Sequence, residues 1–259
     1  NCTLLQLKHT APQELLYAGY YWYRSSVTDT MKQALRDITA KVEKIFDLKQ
    51  GDVVLDIGSN DGTMLRTYTV PGLITVGVEP ADNLVKEGKE HLSHHIHDFW
   101  NYEVYDKIVQ KKAKIITAIG MFYDMEDPNQ FIADSAKALT KDGVFIAQLM
   151  CLKNMLDSND VGNICHEHLE YYSFKSLEYL FNNNGLEIFD VEINNVNGGS
   201  YRVYAKKIGS IVKEDKGAFD RVQAVRDSEK DLDNKQVHID FYNRLEENKR
   251  KCTDFIKIE

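Results

Sequence analysis

The sequence predicts an α/β fold in which a doubly wound, mostly parallel sheet is closed at one edge by an antiparallel pair of strands. Continuous apolar runs of strand length alternate with helix-like segments up to about residue 150. Such runs are typical of parallel strands that are buried on both faces. Two later runs alternate apolar and polar residues and are joined by the Asn/Gly-rich stretch "NNVNGG", which indicates an antiparallel pair.

The elements follow in a regular order. The first thirty residues are aromatic and irregular, and a helix capped by Thr28 or Asp29 comes next. The predicted buried strands are residues 52–58, 73–80, 114–120 and 143–150, with helices such as 130–139 between them. Ser173 is predicted to cap a later helix that Gly185 ends, and the antiparallel pair comprises 186–194 and 198–208. From about Lys213 the chain is highly charged and helix-prone. This segment is predicted to be either a packed amphipathic helix or a connector to a part that is missing.

Composition excludes some classes of function. A chain of 259 residues with 43% hydrophobic residues can bury one large core. The net charge of −8 argues against non-specific binding to nucleic acid or to an anionic membrane, because both need a positive field. The longest apolar runs are too short to span a bilayer. The four scattered cysteines suit a reducing compartment, so a cytoplasmic location is expected.

A glycine-bearing turn follows the first predicted strand, in "VVLDIGSNDGT". At the carboxyl edge of a doubly wound sheet, such a turn lets the backbone approach a ligand. Asn60 and Thr63 stand where a dinucleotide-binding motif needs glycine, so NAD is disfavoured. The acidic residues Asp56 and Asp61 would repel phosphates, but they can hold an ammonium group.

The next two strand ends continue this pattern. Glu79 is placed to accept hydrogen bonds from a ribose diol, and Asp98 and Phe99 in "HDFW" can receive an adenine. S-adenosylmethionine carries an amino acid, a ribose and an adenine, so the sequence predicts a site for this methyl donor. The predicted cofactor contacts are Asp56, Gly58, Ser59, Asn60, Gly62, Glu79, Pro80, Asp98, Phe99, Gly120, Met121 and Tyr23.

The stretch "NICHEHLEYYS" allows three interpretations. A metalloprotease motif fails, because Glu170 stands where the second histidine should be. His166 and His168 could bind a metal only in an extended arrangement, and no third soft ligand is obvious, so no metal is predicted. A polar loop and an acid/base cluster both remain open on the residues alone.

Several motifs together resemble one family. "DIGSNDGT", "GVEPA", "HEHLEYYS" and "GGSYRVY", with "YRSS" upstream, are similar to motifs of the sugar C-methyltransferases that act on nucleotide-linked keto-deoxyhexoses. The resemblance covers residues 4–207. It implies a Rossmann-like class I methyltransferase with a seven-stranded sheet, S-adenosylmethionine as donor, S-adenosylhomocysteine as product and a nucleotide-linked keto-sugar as partner.

The resemblance also implies a division of the chain. Residues 1–28 would be the remnant of an N-terminal zinc module and an aromatic lid, with Cys2 as the last zinc ligand. Residues 29–209 would be the methyltransferase domain, and 210–259 a helical extension that leads to a missing C-terminal domain. One cysteine cannot form a four-ligand zinc site, so this chain is expected to hold no zinc.

For the stretch "HEHLEYYS", the resemblance implies acid/base catalysis. His168 would remove a proton from the carbon next to the ketone, and Glu167 would orient it or bind a sugar hydroxyl. His166 is the third candidate, on the opposite side of an extended segment. The chain departs from the family at Cys165, where a tyrosine is usual, and at Asp124, where many members carry histidine. Either another residue stabilises the enolate, with Tyr23, Tyr123 and Tyr171 as candidates, or the substrate differs.

Other classes of protein stay open at this point. The same histidine could serve an O- or N-methyltransferase by deprotonating a hydroxyl or an amine. The chain could also be a non-catalytic cofactor-binding module that needs further domains, or a dehydrogenase if it bound NAD.

Overall fold

The computed structural model describes residues 3–258 and has a seven-stranded sheet at its centre. The strands of the described chain are β1 (Leu5–Gln6), β2 (Val53–Ile57), β3 (Ile74–Glu79), β4 (His94–His97), β5 (Ala113–Ile119), β6 (Leu139–Met150), β7 (Glu170–Tyr171), β8 (Leu186–Asn194) and β9 (Ser200–Lys207). The helices are α1 (Gln13–Tyr17), α2 (Asp29–Ile45), α3 (Asp82–Gly88), α4 (Tyr102–Val109), α5 (Pro128–Ala138), α6 (Leu152–Ser158), α7 (Phe174–Asn183), α8 (Ala218–Ser228) and α9 (Lys235–Ile258). Cys2 lies outside the described residues.

The strand order of the large sheet is β4-β3-β2-β5-β6-β9-β8. Strands β2 to β6 pair in parallel, whereas β9 is antiparallel to both β6 and β8. The predicted fold class, a mostly parallel sheet with an antiparallel edge pair, is confirmed. Strand order reverses between β2 and β5, and ligands bind at this kind of position in open α/β sheets.

Both faces of the sheet are covered by helices, for a reason visible in β2. Val53, Leu55 and Ile57 pack into a core with α4, α5 and α7, while Val54 points into a second core with α2. Alternate side chains of a strand face opposite sides of the sheet, so a strand covered on both sides must be apolar throughout. This requirement explains the continuous apolar runs of the sequence.

Helix ends agree with the predicted caps. Thr28 accepts a hydrogen bond from the backbone N–H of Met31, and Ser173 accepts one from Ser176. Gly185 follows α7 with a φ of +83°, a conformation that glycine adopts without strain.

The strand β4 was not among the predicted strands. Its sequence is "HHIH", and only Ile96 is buried. A strand at the edge of the sheet pairs on one side only and needs few apolar residues, so it leaves no apolar run to recognise. The N-terminal segment also contains structure that the sequence analysis left irregular, namely α1 and the short strand β1, which pairs with β7.

The charged C-terminal part contains two helices with different surroundings. Helix α8 buries Ala218, Val222 and Val225 in the core, and Arg221 forms a two-pronged ion pair with Asp190 of β8. Helix α8 is therefore a packed amphipathic helix. Helix α9 contacts α6 through the buried Phe241, but most of its length is exposed.

Glu229, just after α8, links three parts of the fold. Its carboxylate accepts the backbone N–H of Phe174 at 2.7 Å and the hydroxyl of Tyr201. These bonds tie the end of α8 to the start of α7 and to β9. In the described part of the chain, no helix is both long and apolar enough to cross a membrane.

Candidate active site

A cavity of about 340 Å³ opens at the carboxyl ends of the parallel strands. Each strand contributes the residues that follow it to the wall: Gly58 and Asn60 after β2, Glu79 and Pro80 at β3, Asp98 and Phe99 after β4, and Gly120 and Met121 after β5. Tyr23 lines it from the N-terminal segment. The volume is in the range of small-molecule sites. Nine of the twelve predicted cofactor contacts therefore lie in the wall of one cavity.

The turn after β2 has a conformation that its residues permit. Gly58 and Gly62 have φ values of +67° and +74°, and Asn60 has +52°, in the left-handed region that glycine and asparagine tolerate. A Cβ atom on Gly58 would lie 2.8 Å from the Cγ atom of Met121. The glycine thus lets the turn pack closely against the segment that follows β5.

Glu79 has two roles at the end of β3. It lines the cavity, and its two carboxylate oxygens accept backbone N–H groups from Asn60 at 2.9 Å and from Ala81 at 3.0 Å. Burial raises the pKa of Glu79, and the two backbone bonds oppose this shift. The carboxylate therefore holds the turn after β2 in place, and each oxygen keeps a second lone pair for a ligand.

Three predicted cofactor contacts lie outside the cavity wall. Asp56 is buried and accepts the Thr117 hydroxyl at 2.7 Å, and burial raises its pKa to about 7. The Ser59 hydroxyl lies 3.1 Å from Nε2 of His95, and Gly62 packs against Leu92. These residues contact neighbouring elements and do not line the cavity.

Asp61 is likewise bonded within the protein. Its carboxylate accepts the N–H and the hydroxyl of Thr63 and the N–H of Ser26. The acidic turn predicted to hold an ammonium group thus uses both of its aspartates to brace the fold.

The N-terminal segment covers one side of the cavity. The side-chain amide of Asn83 exchanges two 3.0 Å hydrogen bonds with the backbone of Tyr21. Asn60 accepts the N–H of Ser25 at 2.9 Å and donates to the carbonyl of Tyr23 at 3.1 Å. Tyr17, Tyr21 and Tyr23 line the cavity as a result. Sequence analysis missed Tyr17 and Tyr21, because side-chain to backbone bonds leave no motif; the only signal was the aromatic cluster "YYWY".

The charges around the cavity have one sign. Six carboxyl residues line it, and no lysine, arginine or histidine of the described chain does so. The six are Glu79, Asp98, Asp124, Glu126, Asp127 and Asp134. An acidic, partly buried cavity favours a positively charged ligand and disfavours phosphate groups.

His168 lies beside the cavity, on the segment between α6 and β7. Its Nδ1 is 2.9 Å from the carbonyl oxygen of Asn163, and its ring packs edge-on against Tyr123 at 4.6 Å between centroids. A carbonyl can only accept, so Nδ1 carries the hydrogen of the neutral ring and Nε2 keeps a lone pair. Asn163 and Tyr123 orient this ring, and Glu167 has no contact with it.

The neighbours of His168 form a turn and not the extended segment that was predicted. The N–H of His168 donates to the carbonyl of Cys165 at 3.2 Å, which closes the turn. His166 is exposed on it, while the carbonyl of Glu167 accepts the Tyr17 hydroxyl at 3.3 Å. His166, Glu167 and His168 do not line the cavity, but Tyr17 joins their turn to it.

Two buried carboxyl groups lie between the cavity and this turn. Asp124 follows β5 and lines the cavity, and Glu170 lies in β7. Burial raises the pKa of Glu170 to about 9 and raises that of Asp124 well above its ordinary value. Glu170 therefore holds a proton at neutral pH, and burial favours the protonated form of Asp124 as well.

The proton on Glu170 makes stability depend on pH. The folded state keeps this proton up to about pH 9, whereas the unfolded chain releases it near pH 4.5. The free energy of unfolding should therefore fall as pH rises through this window. Glu170→Gln removes the effect and should be more stable than the wild type at pH 8 by ~1–3 kcal/mol.

Urea unfolding at pH 5 and at pH 8 measures this difference. The exposed Glu246 of α9 provides the matched control, and Glu246→Gln should keep the pH dependence of the wild type. Equal pH dependence in Glu170→Gln and the wild type would show that Glu170 is ionised in the folded protein.

No group of three or more His, Cys, Asp or Glu residues is arranged to hold a metal ion within residues 3–258. His166 and His168, the pair considered in the sequence analysis, thus lack further ligands around them.

Comparison with known proteins identifies the family. The model of a family described as "Methyltransferase domain" matches residues 29–191, more than half of the chain. The chain belongs to this methyltransferase family. The match runs from the start of α2 into β8 and contains the turn after β2, Glu79 and the residues that follow β5.

Related proteins agree with this assignment. C-methyltransferase NovU of Streptomyces niveus is 30% identical over 207 residues, which are 79% of this chain and 49% of the relative. The chain thus spans about half the length of that relative. Magnesium protoporphyrin IX methyltransferase of Synechocystis, solved with bound SAH, has a TM-score of 0.52 at 12% identity, covering 70% of this chain and 89% of that one. An S-adenosylmethionine-dependent methyltransferase of Clostridium acetobutylicum has a TM-score of 0.51 at 14% identity, covering 70% of this chain and 93% of that one.

The chain therefore carries a methyltransferase domain whose cofactor is S-adenosylmethionine. The cavity fits this cofactor, because its carboxyl groups suit a sulfonium and an ammonium group and Glu79 keeps lone pairs for hydroxyl groups. A Cβ atom on Gly120 would make only an ordinary van der Waals contact, with the Tyr123 hydroxyl at 3.8 Å. When bound, the cofactor supplies an electrophilic methyl group.

Proposed function

We propose that this methyltransferase transfers the methyl group to a carbon next to the ketone of a nucleotide-linked deoxysugar, with His168 as the base. Methyl transfer to carbon needs a carbanion, and the hydrogens beside a ketone are acidic enough for a positioned histidine to remove one. A neutral imidazole with a free ring nitrogen can accept such a proton.

The observation that carries this proposal is the bond between Nδ1 of His168 and the carbonyl of Asn163. It fixes the tautomer that leaves Nε2 able to accept a proton, at a position that Tyr17 links to the cavity. The description of NovU as a C-methyltransferase supports carbon as the acceptor atom. The motifs "HEHLEYYS" and "YRSS" support a sugar.

The charge of the cavity limits how such an acceptor binds. The acidic wall would repel a diphosphate, so the sugar ring is the part that lies near the cavity. The diphosphate and the nucleoside then lie outside it. Glu167 is half-buried, and its carboxylate accepts no hydrogen bond from the described residues. It is therefore available to accept one from a sugar hydroxyl.

Deuterium exchange tests the proposal. The protein is incubated in D₂O with thymidine- and guanosine-diphosphate-linked 4-keto-6-deoxyhexoses and S-adenosylhomocysteine. We expect deuterium to enter next to the ketone, and S-adenosylmethionine to give a product with a new C–C bond by NMR. A methyl group on oxygen or nitrogen without exchange would indicate an O- or N-methyltransferase. Cofactor binding without any turnover would indicate a non-catalytic module.

A further inference from the structure

The carboxyl group of Asp124 differs from the other carboxyl groups of the cavity. Asp124 is only 7% exposed, and its Oδ1 has no hydrogen-bond partner among the described residues. Glu79 and Asp134, the other buried acids of the wall, have all their buried oxygens paired. A buried polar atom without a partner lowers stability, and such atoms are typical of functional sites.

The groups that face Asp124 are acids, hydroxyls and an amide. Tyr17 interacts electrostatically with its carboxyl group, and the side-chain amide of Gln13 donates to its backbone carbonyl. Its other titratable neighbours are Tyr21 from the N-terminal segment, Tyr123 beside it, Glu167 from the turn, and Glu170 and Tyr171 from β7. No cation of the described chain is among them. Burial without a neighbouring cation raises the pKa of Asp124 well above its ordinary value and so favours the protonated, neutral carboxyl group.

The position of Asp124 relates it to the base. It ends a short 3₁₀ turn (Phe122–Asp124) that begins just after the cavity residues Gly120 and Met121. The preceding residue, Tyr123, is the one whose ring packs against His168. Asp124 therefore lies on the side of the cavity that faces the turn carrying His168.

The tyrosines considered as enolate stabilisers already have partners. The Tyr123 hydroxyl donates to the carbonyl of Gly120 at 2.9 Å, and that of Tyr171 donates to the carbonyl of Asn163 at 3.3 Å. The Tyr23 hydroxyl is hydrogen-bonded to Ser25. Asp124 is the remaining polar group of the cavity wall with a buried, unpaired oxygen in the described chain.

We propose that Asp124 is a catalytic acid that stays protonated and donates a hydrogen bond from its carboxyl group to the ketone oxygen of the acceptor. This inference rests on the proposed function. His168 takes the proton from the carbon, and the electron pair moves onto the oxygen, which becomes an enolate. Asp124 keeps its proton and stabilises that negative charge through the hydrogen bond. When the carbon forms its bond to the methyl group, the bond between that methyl group and the sulfur of the donor would break, with the neutral thioether as leaving group. The electron pair on the oxygen returns to restore the ketone, and His168 releases its proton to solvent.

A neutral carboxyl group is suited to this task. Donors aimed at an oxygen that becomes negative contribute strongly in a site that excludes water. An ionised aspartate would repel the enolate, so its burial away from cations is required for the role.

Two substitutions of Asp124 separate hydrogen-bond donation from shape. Asp124→Asn keeps a donor of nearly the same shape, and Asp124→Ala removes it. We expect Asp124→Ala to slow deuterium exchange into the keto-sugar probes, and kcat, on the order of 10²–10³-fold. Asp124→Asn should stay within roughly tenfold of the wild type. Affinity for S-adenosylhomocysteine should change little in both, and the distant Asp142→Asn should behave as the wild type.

Two further measurements do not depend on the size of the rate loss. Wild-type kcat should fall at alkaline pH as Asp124 loses its proton, and this fall should be absent in Asp124→Asn. Infrared difference spectra of the wild type against Asp124→Asn, recorded at pH 7 without substrate, should show the band of a protonated carboxyl group that the variant lacks.

The outcomes are distinct. If the wild type exchanges no deuterium into any probe, the proposed function fails and this inference fails with it. If the wild type exchanges and Asp124→Ala exchanges equally fast, the inference alone is overturned. It is also overturned if Asp124→Asn is as slow as Asp124→Ala, or if the infrared band of the protonated group is absent.

Discussion

Replacing His168 by glutamine is expected to abolish methyl transfer while leaving the affinity for S-adenosylhomocysteine almost unchanged. The glutamine side chain has a similar reach and can donate to the carbonyl of Asn163, but it cannot take up a proton. A general base is typically worth roughly 10²–10⁴-fold in rate, so turnover should fall by that amount. Single-turnover kinetics with the keto-sugar probes and calorimetry with S-adenosylhomocysteine measure the two quantities.

The same turn offers a matched control in His166. His166 is exposed and has no hydrogen bond within the described chain, so His166→Gln should change the rate of methyl transfer much less. Deuterium exchange should also be lost in His168→Gln, because exchange needs the base and not the methyl donor. Full activity in His168→Gln on an established substrate would move the base to another residue.

Replacing Glu79 by alanine is expected to weaken S-adenosylhomocysteine binding by ~1.5–3 kcal/mol, the scale of hydrogen bonds to a charged group. This corresponds to roughly 10- to 150-fold in the dissociation constant. Two effects contribute, because Glu79 both faces the cavity and accepts the backbone N–H groups of Asn60 and Ala81. Glu90→Ala, on the exposed surface after α3, should leave the affinity unchanged.

A ligand without one ribose hydroxyl separates these two effects. If Glu79 contacts the ribose, Glu79→Ala should weaken the binding of 2′- or 3′-deoxy-S-adenosylhomocysteine less than it weakens the binding of the parent compound. If Glu79 acts only by holding the turn after β2, Glu79→Ala should weaken the binding of all three ligands equally. Calorimetry that shows no loss of affinity in Glu79→Ala would contradict both roles.

The sequence alone determined most of the sheet and the edge at which the cavity opens. A strand covered by helices on both faces must be apolar throughout, so β2, β3, β5 and β6 were recognisable as short apolar runs. A helix cap such as Ser173 bonds to a residue only three positions further along the chain, so the sequence could also predict it. Gly58 and Glu79 were predictable as site residues because the ends of parallel strands meet at one edge of the sheet.

Tertiary structure decided which polar side chains face the cavity. Asp56, Ser59 and Gly62 belong to the predicted turn, but they are turned away from the ligand side and bond to neighbouring elements instead. Local spacing did not show this, because their partners Thr117, His95 and Leu92 are distant in the chain.

The positions of His168 and Asp124 depended still more on contacts between residues that are distant in the chain. The ring of His168 is held by a turn and by Tyr123, and not by the adjacent Glu167 as the sequence suggested. Tyr17, Tyr21 and Asp124 come together only because the N-terminal segment binds across the turn after β2 and α3. The raised pKa values of Asp124 and Glu170 follow from burial among groups without positive charge. Burial of this kind exists only after the chain has folded, so neither the residue types nor their spacing could determine it.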